Sequence, residues 1–409
     1  MTGLVAIAAV VGSAVPAVSA AAATTPVPAV ARPGAAVSAD LSATGSRISC
    51  GSATACLAVG TNTGSSGNQS IPFAEAMHGT AWTSVAVKAP KGAAATALTG
   101  VSCKSSSYCL VVGGYSDSAQ NTHPAAWTWN GSTLTPLAAL PLPKGDSLVS
   151  LSAVSCVAVK DCVVIGSAIG TSTSTSTIQL IWTWNGSKWA LKTAALPGTA
   201  AGTQLSAAHC FSLTSCVVAG LSVSLTGTLS ESLTLATWNG KAFTPQKAAM
   251  PAGLGLGALE DVSCSSPRSC AAVGLSVSAN ASASATGMFG FAEVWNGSAW
   301  SATKWTGQKG ASIAALLGVS CTSAVSCVAV GAQGSQKSLS AVSLIFNGSH
   351  WSVRPAPSPG KGLSSDFEDV SCTKSNSCVA IGEYGPSTAT SGKPLAGYWN
   401  GSAWKLKHA

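Results

Sequence analysis

Seven copies of a Cys-x5-Cys pair at near-constant spacing, most followed by an aromatic-Asn-Gly turn, predict an all-β chain. The specific expectation is a seven-bladed β-propeller of four-stranded blades with one disulfide per blade. First cysteines fall at Cys50, Cys103, Cys156, Cys210, Cys264, Cys321 and Cys372, in steps of 53, 53, 54, 54, 57 and 51 residues, and the second follows six residues later in every copy. Composition agrees with a scaffold rather than a charged or disordered chain. Of 409 residues, 21 are Lys or Arg and 13 are Asp or Glu, so the 8% charged share lies far below the roughly 25% of an average soluble domain. Gly and Pro together (43 and 19) are near ordinary usage, which excludes a collagen and a Pro/Gly-rich disordered chain.

The elements follow in order from the N-terminus. Residues 4–11 are uninterrupted apolar, and Ser13, Ala17, Ser19 and Ala20 supply small residues behind them. Residues 1–23 are therefore expected to be a secretory signal peptide, cleaved after Ala20 or Ala23. No Lys or Arg precedes the apolar run, the one departure from that pattern. The run is too short to cross a bilayer, which takes about 20 residues, and no later stretch is long and apolar enough. Residues 24–45 are rich in Ala, Pro and Thr and read as a flexible lead-in. The propeller is expected over 46–409.

Each repeat parses into four strands. The first ends in Val-Ser-Cys, as at Val101-Ser102-Cys103, and a five-residue Ser-rich turn leads to the second, as at 327–331. A Ser/Thr/Gly loop of variable length leads to a third strand ending at Trp or Phe. Asn-Gly then predicts a type I′ hairpin, since both central residues of that turn need positive φ. Such pairs stand at Asn130-Gly131, Asn185-Gly186, Asn239-Gly240, Asn296-Gly297, Asn347-Gly348 and Asn400-Gly401. The fourth strand opens near an aromatic in most copies (Trp82, Trp189, Phe243, Trp300, Trp351 and Trp404), placing it for cross-strand pairing. A parallel β-helix has much shorter coils, and isolated 54-residue domains would be marginally stable alone. Lysines on the outer strands (Lys88, Lys188, Lys192, Lys241, Lys247, Lys304, Lys405 and Lys407) fit charge placed against edge-to-edge pairing. No segment is left over to complete a split blade, so the sequence assigns no closing strand.

Cys-x5-Cys across a turn brings two cysteines within disulfide range. The expected pairs are Cys50–Cys56, Cys103–Cys109, Cys156–Cys162, Cys210–Cys216, Cys264–Cys270, Cys321–Cys327 and Cys372–Cys378. A closed loop this short contributes about 2 kcal/mol in the chain-entropy account, hence on the order of 10 kcal/mol for seven. Zinc needs four ligands close together, and each blade offers two cysteines. No metal site and no cofactor is expected from them.

The repeat "VSCxSxxxCVAVG…WNGxxW" resembles secreted tandem-repeat propellers of high-GC soil bacteria and, more distantly, Asp-box (BNR) and Kelch repeats. The resemblance covers about 46–409 and implies the architecture, with little implied about activity. The chain departs from the pattern at His78-Gly79, at Leu134 and at Ala208-His209-Cys210, and it lacks the Asp of a true Asp-box, so sialidase-like activity is not implied.

Two candidate sites emerge. The second-to-third strand loops vary most, and variable loops on a rigid repeat are where binding evolves; two of them place a tyrosine at the same point, Tyr115 and Tyr384. The second candidate is the mouth of the central channel, at the start of the inner strands. Arg47, Glu260, Asp261, Glu368 and Asp369 occupy equivalent repeat positions there, with Asp366 just before. These could bind a structural cation or a polar group, since hard cations take several oxygen ligands. The alternative is a water-filled mouth that tolerates charge, with Arg47 paired to Glu368 or Asp369.

Catalytic signatures are absent: no G-x-S-x-G, no H-E-x-x-H and no P-loop. The five histidines (His78, His123, His209, His350 and His408) fall at unrelated repeat positions. A net charge of +8 with four arginines and dispersed lysines lacks the clustered face of a nucleic-acid reader. The sequence thus points to a secreted, monomeric, non-catalytic binding or scaffold propeller whose partner is an extracellular glycan or protein. The alternatives are an extracellular carbohydrate-active hydrolase or lyase using paired carboxylates at the channel mouth, and a purely structural surface protein.

Overall fold

The computed structural model describes residues 42–63, 70–143, 146–170, 177–197, 202–224, 230–278, 287–335, 337–387 and 392–408. The expected signal peptide and most of the expected lead-in lie outside them. The described chain is all-β. Its strands form seven consecutive four-stranded units at 42–84, 95–136, 146–194, 202–246, 254–305, 313–355 and 363–408, here blades 1 to 7. Blade 5 shows the plan: an inner strand Leu254–Ser266, then Ser269–Ser278, Met288–Trp295 and the outer Trp300–Trp305, each antiparallel to the one before. The inner strand of blade 1 begins at Ser42. All seven Cys-x5-Cys disulfides form, each between residues directly opposed on the first two strands, with Cα atoms 3.9–4.0 Å apart.

Both turns differ from the sequence expectation. The turn between the cysteines is not a five-residue loop. The strands continue past the disulfide, as in Ser105 opposite Tyr108, leaving two turn residues and one extra residue in the first strand. The Asn-Gly turn is not type I′. In blade 5, Trp295 pairs with Trp300, so the loop has four residues, and only its glycine has positive φ (Gly297, 94°). Asn296 serves through its side chain instead: Oδ1 accepts the Ser298 N–H (2.9 Å), the Ala299 N–H (3.0 Å) and the Ser298 hydroxyl (2.8 Å). This Asx geometry recurs at Asn130, Asn185, Asn347 and Asn400. Flanking aromatic pairs such as Trp184–Trp189 and Trp238–Phe243 meet at 4.9 Å between ring centres.

Seven apolar clusters fill the seven junctions between neighbouring blades, built from aliphatic side chains and the disulfides around two or more aromatic rings each. The lysine expectation is modified. Lys192 Nζ donates to the Gly240 carbonyl of the next blade, and Lys407 Nζ to Thr80 O, so two outer-strand lysines tie blades together as well as charging an edge.

The ring closes without exchanging a strand. Blade 7 meets blade 1 through its own surface: Cys50 N–H donates to Ser371 Oγ (3.0 Å), and Trp82 Nε1–H to Tyr398 OH (2.6 Å). Around them Ile48, Ala58 and Met77 pack on Val379 and Ile381.

Candidate functional site

The inner strands build the channel wall. Six of the seven carry a Ser directly before the first cysteine, whose Oγ accepts the backbone N–H of the first cysteine in the next blade. The donors are Cys103 to Ser49 and Cys156 to Ser102 (2.9 Å each), then Cys210 to Ser155, Cys321 to Ser263 and Cys372 to Ser320 (3.0 Å each). Cys50 to Ser371 makes the same bond where blade 7 meets blade 1. Blade 4 has His209 at this position. These serines repeat visibly in the sequence, but only the ring geometry shows what they bond.

Three and four residues before the first cysteine, each inner strand is interrupted. In blades 1 to 6 the pairing register slips, and in blades 2 to 6 it leaves Thr99, Ser152, Ser206, Glu260 and Leu317 as bulge residues. In blade 7 the strand breaks into Leu363–Ser365 and Asp369–Lys374. The charged candidates sit at this interruption, partway along the wall, rather than at the start of the strands.

Most of these carboxyl groups have backbone partners across blades. Asp261 accepts the Val262 N–H on one oxygen and the Val319 N–H of blade 6 on the other, both at 2.8 Å. Asp369 repeats this with its own Val370 (2.7 Å) and with Ile48 of blade 1 (2.8 Å). Glu368 Oε2 accepts the Ser46 N–H (2.8 Å), and Asp366 Oδ1 accepts the Glu383 N–H (2.9 Å). Among the described residues no carboxylate is in salt-bridge contact with Arg47, which donates to the Ser46 carbonyl at 3.2 Å; the expected pairing to Glu368 or Asp369 does not form. Burial works against the Arg47 charge, but the fields of Asp369, Asp261, Glu368 and Glu260 outweigh it and raise its pKa.

Burial pushes all five acids up. Asp261 rises to about 7, with Asp369 adding, and Glu368 to about 8, with Asp366 and Glu383 adding; Glu260, Asp366 and Asp369 move the same way. Glu383, buried on the second strand of blade 7, belongs to this cluster and was not singled out from sequence. Among the described residues no three His, Cys, Asp or Glu side chains are disposed to hold a metal ion.

The loop-face candidates lie differently. Tyr115 and Tyr384 are not in loops. They end second strands, opposite Thr96 and Ser365, half-buried against the cores between blades 1 and 2 and between blades 6 and 7. The loop after Tyr115 is described in full and is tightly organised. Tyr115 stacks on His123 at 4.8 Å. Asp117 accepts the N–H groups of Ala119 and Asn121 (2.9 Å each), and His123 Nε2 lies 3.1 Å from its other oxygen. The His123 and Asn121 hydrogen bonds hold Asp117 down at about 2. Sequence reading took Tyr115 and missed Asp117, Asn121 and His123, because nothing in composition says the loop folds back on itself.

No protein-family model and no curated protein matches the chain. Among solved structures it is similar to the β-propeller domain of the Trilobed protease from Pyrococcus furiosus, described as having an open velcro topology (TM-score 0.50, 7% identity, 91% of this chain and 96% of that one). Weaker likenesses are the six-bladed fucose-recognising lectin of Aleuria aurantia (0.39, 11%, 74% and 91%) and the α-L-arabinofuranosidase Arb93A of Fusarium graminearum (0.43, 10%, 90% and 93%). Blade order, sheet topology and the first of these likenesses agree on one conclusion: the chain is a β-propeller.

Proposed function

We propose that the protein is a secreted, non-catalytic binding propeller that presents its recognition surface on the face carrying the second-to-third strand loops, with extracellular glycan as the ligand class. One contrast carries this reading. The inner-strand serines and the carboxylates of Asp261, Glu368 and Asp369 are engaged in bonds between blades. The loop after Tyr115, in contrast, offers a stacked Tyr–His pair, an amide and a carboxylate on a preorganised backbone. A flat ring edge with nearby acceptors and donors suits a polyhydroxylated ligand, and preorganised groups lose little entropy on binding. Seven disulfides and the absence of free cysteine among the described residues support an oxidising, extracellular setting.

The test is co-sedimentation of the mature protein with cell walls and insoluble polysaccharides at low and high salt. Salt-resistant retention on one polymer, reduced about tenfold or more by Tyr115→Ala or His123→Ala, is expected. Retention only at low salt would reduce the interaction to the +8 charge. No retention would overturn the glycan reading and leave a protein partner. Release of soluble sugar from the retained polymer would establish the enzyme instead.

A further inference from the structure

The junction between blades 7 and 1 differs from the other six in two ways. It is the only one that the chain does not cross, so its integrity rests on non-covalent contacts alone. It is also where carboxyl groups concentrate. Asp366 and Glu368, in the break of the inner strand, lie beside Glu383 on the neighbouring strand, and Glu368 and Asp369 hold the Ser46 and Ile48 amides of blade 1 at 2.8 Å. Glu260 and Asp261 of blade 5 interact with Arg47, and Asp261 with Asp369; among the described residues Arg47 is the one cation within the field of these acids. Fully ionised, six carboxylates against one guanidinium leave five uncompensated negative charges in a protein interior, where repulsion is weakly screened. A protonated carboxyl still accepts an amide N–H through its carbonyl oxygen and no longer repels its neighbours.

We propose that this cluster makes the seam a proton-operated closure: the carboxyl groups of blade 7 hold blade 1 firmly while they share protons, and their ionisation above neutrality loosens this junction before any other. The direction follows from linkage. Groups that stay protonated in the folded ring after the unfolded chain has released its protons make stability fall as pH rises, until they too ionise near the upper end of their range, about 8 for Glu368. Lys104 and His209, on the inner strands of blades 2 and 4, interact with each other. His209, held neutral by burial, contributes nothing above its ordinary titration range of about 6.5.

The experiment is amide hydrogen exchange by mass spectrometry at about pH 6.5 and about pH 9, corrected for intrinsic rates, on peptides covering 46–50 and 101–105. The second peptide contains Cys103, whose N–H makes the equivalent bond to Ser49 Oγ at a junction whose two inner strands carry no Asp or Glu. Protection of 46–50 is expected to fall about tenfold or more with rising pH while 101–105 changes less than about twofold. Asp366→Asn keeps the acceptor for Glu383 N–H but removes a charge, and it is expected to shrink the fall. Should that variant fail to fold, Glu383→Gln removes the facing charge instead. An unchanged seam, an equal loss at both junctions, or a fall that persists in the charge-removed variant would overturn the proposal.

Discussion

Four residues after each second cysteine stands a glycine, at 60, 113, 166, 220, 274, 331 and 382, and close approach explains it. In blades 2 to 7 the inner strand is interrupted opposite this position and drives a carbonyl into the space a side chain would need; in blade 1 the Phe73 ring lies there instead. A Cβ at Gly274 would lie 2.0 Å from the Ala258 oxygen, and one at Gly331 would lie 1.9 Å from the Ala315 oxygen. Gly274→Ala is therefore expected to destabilise by at least roughly 1–3 kcal/mol, the range of forced overpacking and backbone shifts. Gly202→Ala, where an added Cβ meets nothing within 4 Å, is the control and should leave the thermal midpoint nearly unchanged. Equal effects in the two variants would remove close approach as the reason for the repeat's glycine.

At the scale of the hairpin, the Asn-Gly dipeptide divides its labour. Glycine supplies the positive φ, while asparagine supplies an acceptor to two backbone N–H groups that would otherwise face the turn unpaired. The two explanations of the asparagine separate experimentally. Asn296→Gly removes the acceptor yet favours positive φ, and a loss of about 1–2 kcal/mol is expected in denaturant unfolding, at roughly 1 kcal/mol per bond. Asn296→Asp retains the acceptor and should be nearly neutral. A type I′ turn would give the reverse order. Strand interruptions also act at this scale: bulges and the break in blade 7 turn Thr99, Ser206 and Glu368 toward the next blade, where Thr99 donates to Leu151 O and Ser206 to Leu259 O.

For the whole molecule, acidity is a stability variable. Among the described residues seven acids (Glu75, Glu260, Asp261, Glu293, Asp366, Glu368 and Asp369) have their pKa raised by burial. Glu293 isolates the effect, since it lies away from the channel. It is fully buried on the third strand of blade 5, where Oε2 accepts the Ala249 N–H from the segment after blade 4 (2.8 Å), and burial pushes it up to about 7. The folded state keeps this proton between the unfolded value and about 7, so stability falls as pH rises through that window and is lowest above it. Glu293→Gln keeps the acceptor without a charge. It is expected to raise stability above neutrality by up to about 3 kcal/mol and to change little near pH 4, read from thermal midpoints across the range. A variant whose gain is independent of pH would show that Glu293 does not titrate in the folded protein.

Periodicity made most of the fold legible. Seven cysteine pairs, the terminal aromatics and the glycine-bearing turns are local features that repeat, and a repeat that cannot bury its own face must stack on its neighbours. The blade count, the strand count and every disulfide partner followed from the chain alone, because each is decided within about 54 residues. Tyr115 was visible as an aromatic but not as the partner of His123, because stacking depends on how the loop returns. What only the tertiary structure decided is whatever joins residues of different blades. Ser371 closing on Cys50, Asp369 reaching Ile48 and Glu368 reaching Ser46 are contacts between residues more than 300 positions apart. Their acids read in sequence as a charged channel mouth, and they become the seam of the ring because circular closure, rather than any local pattern, brings the two ends of the chain together.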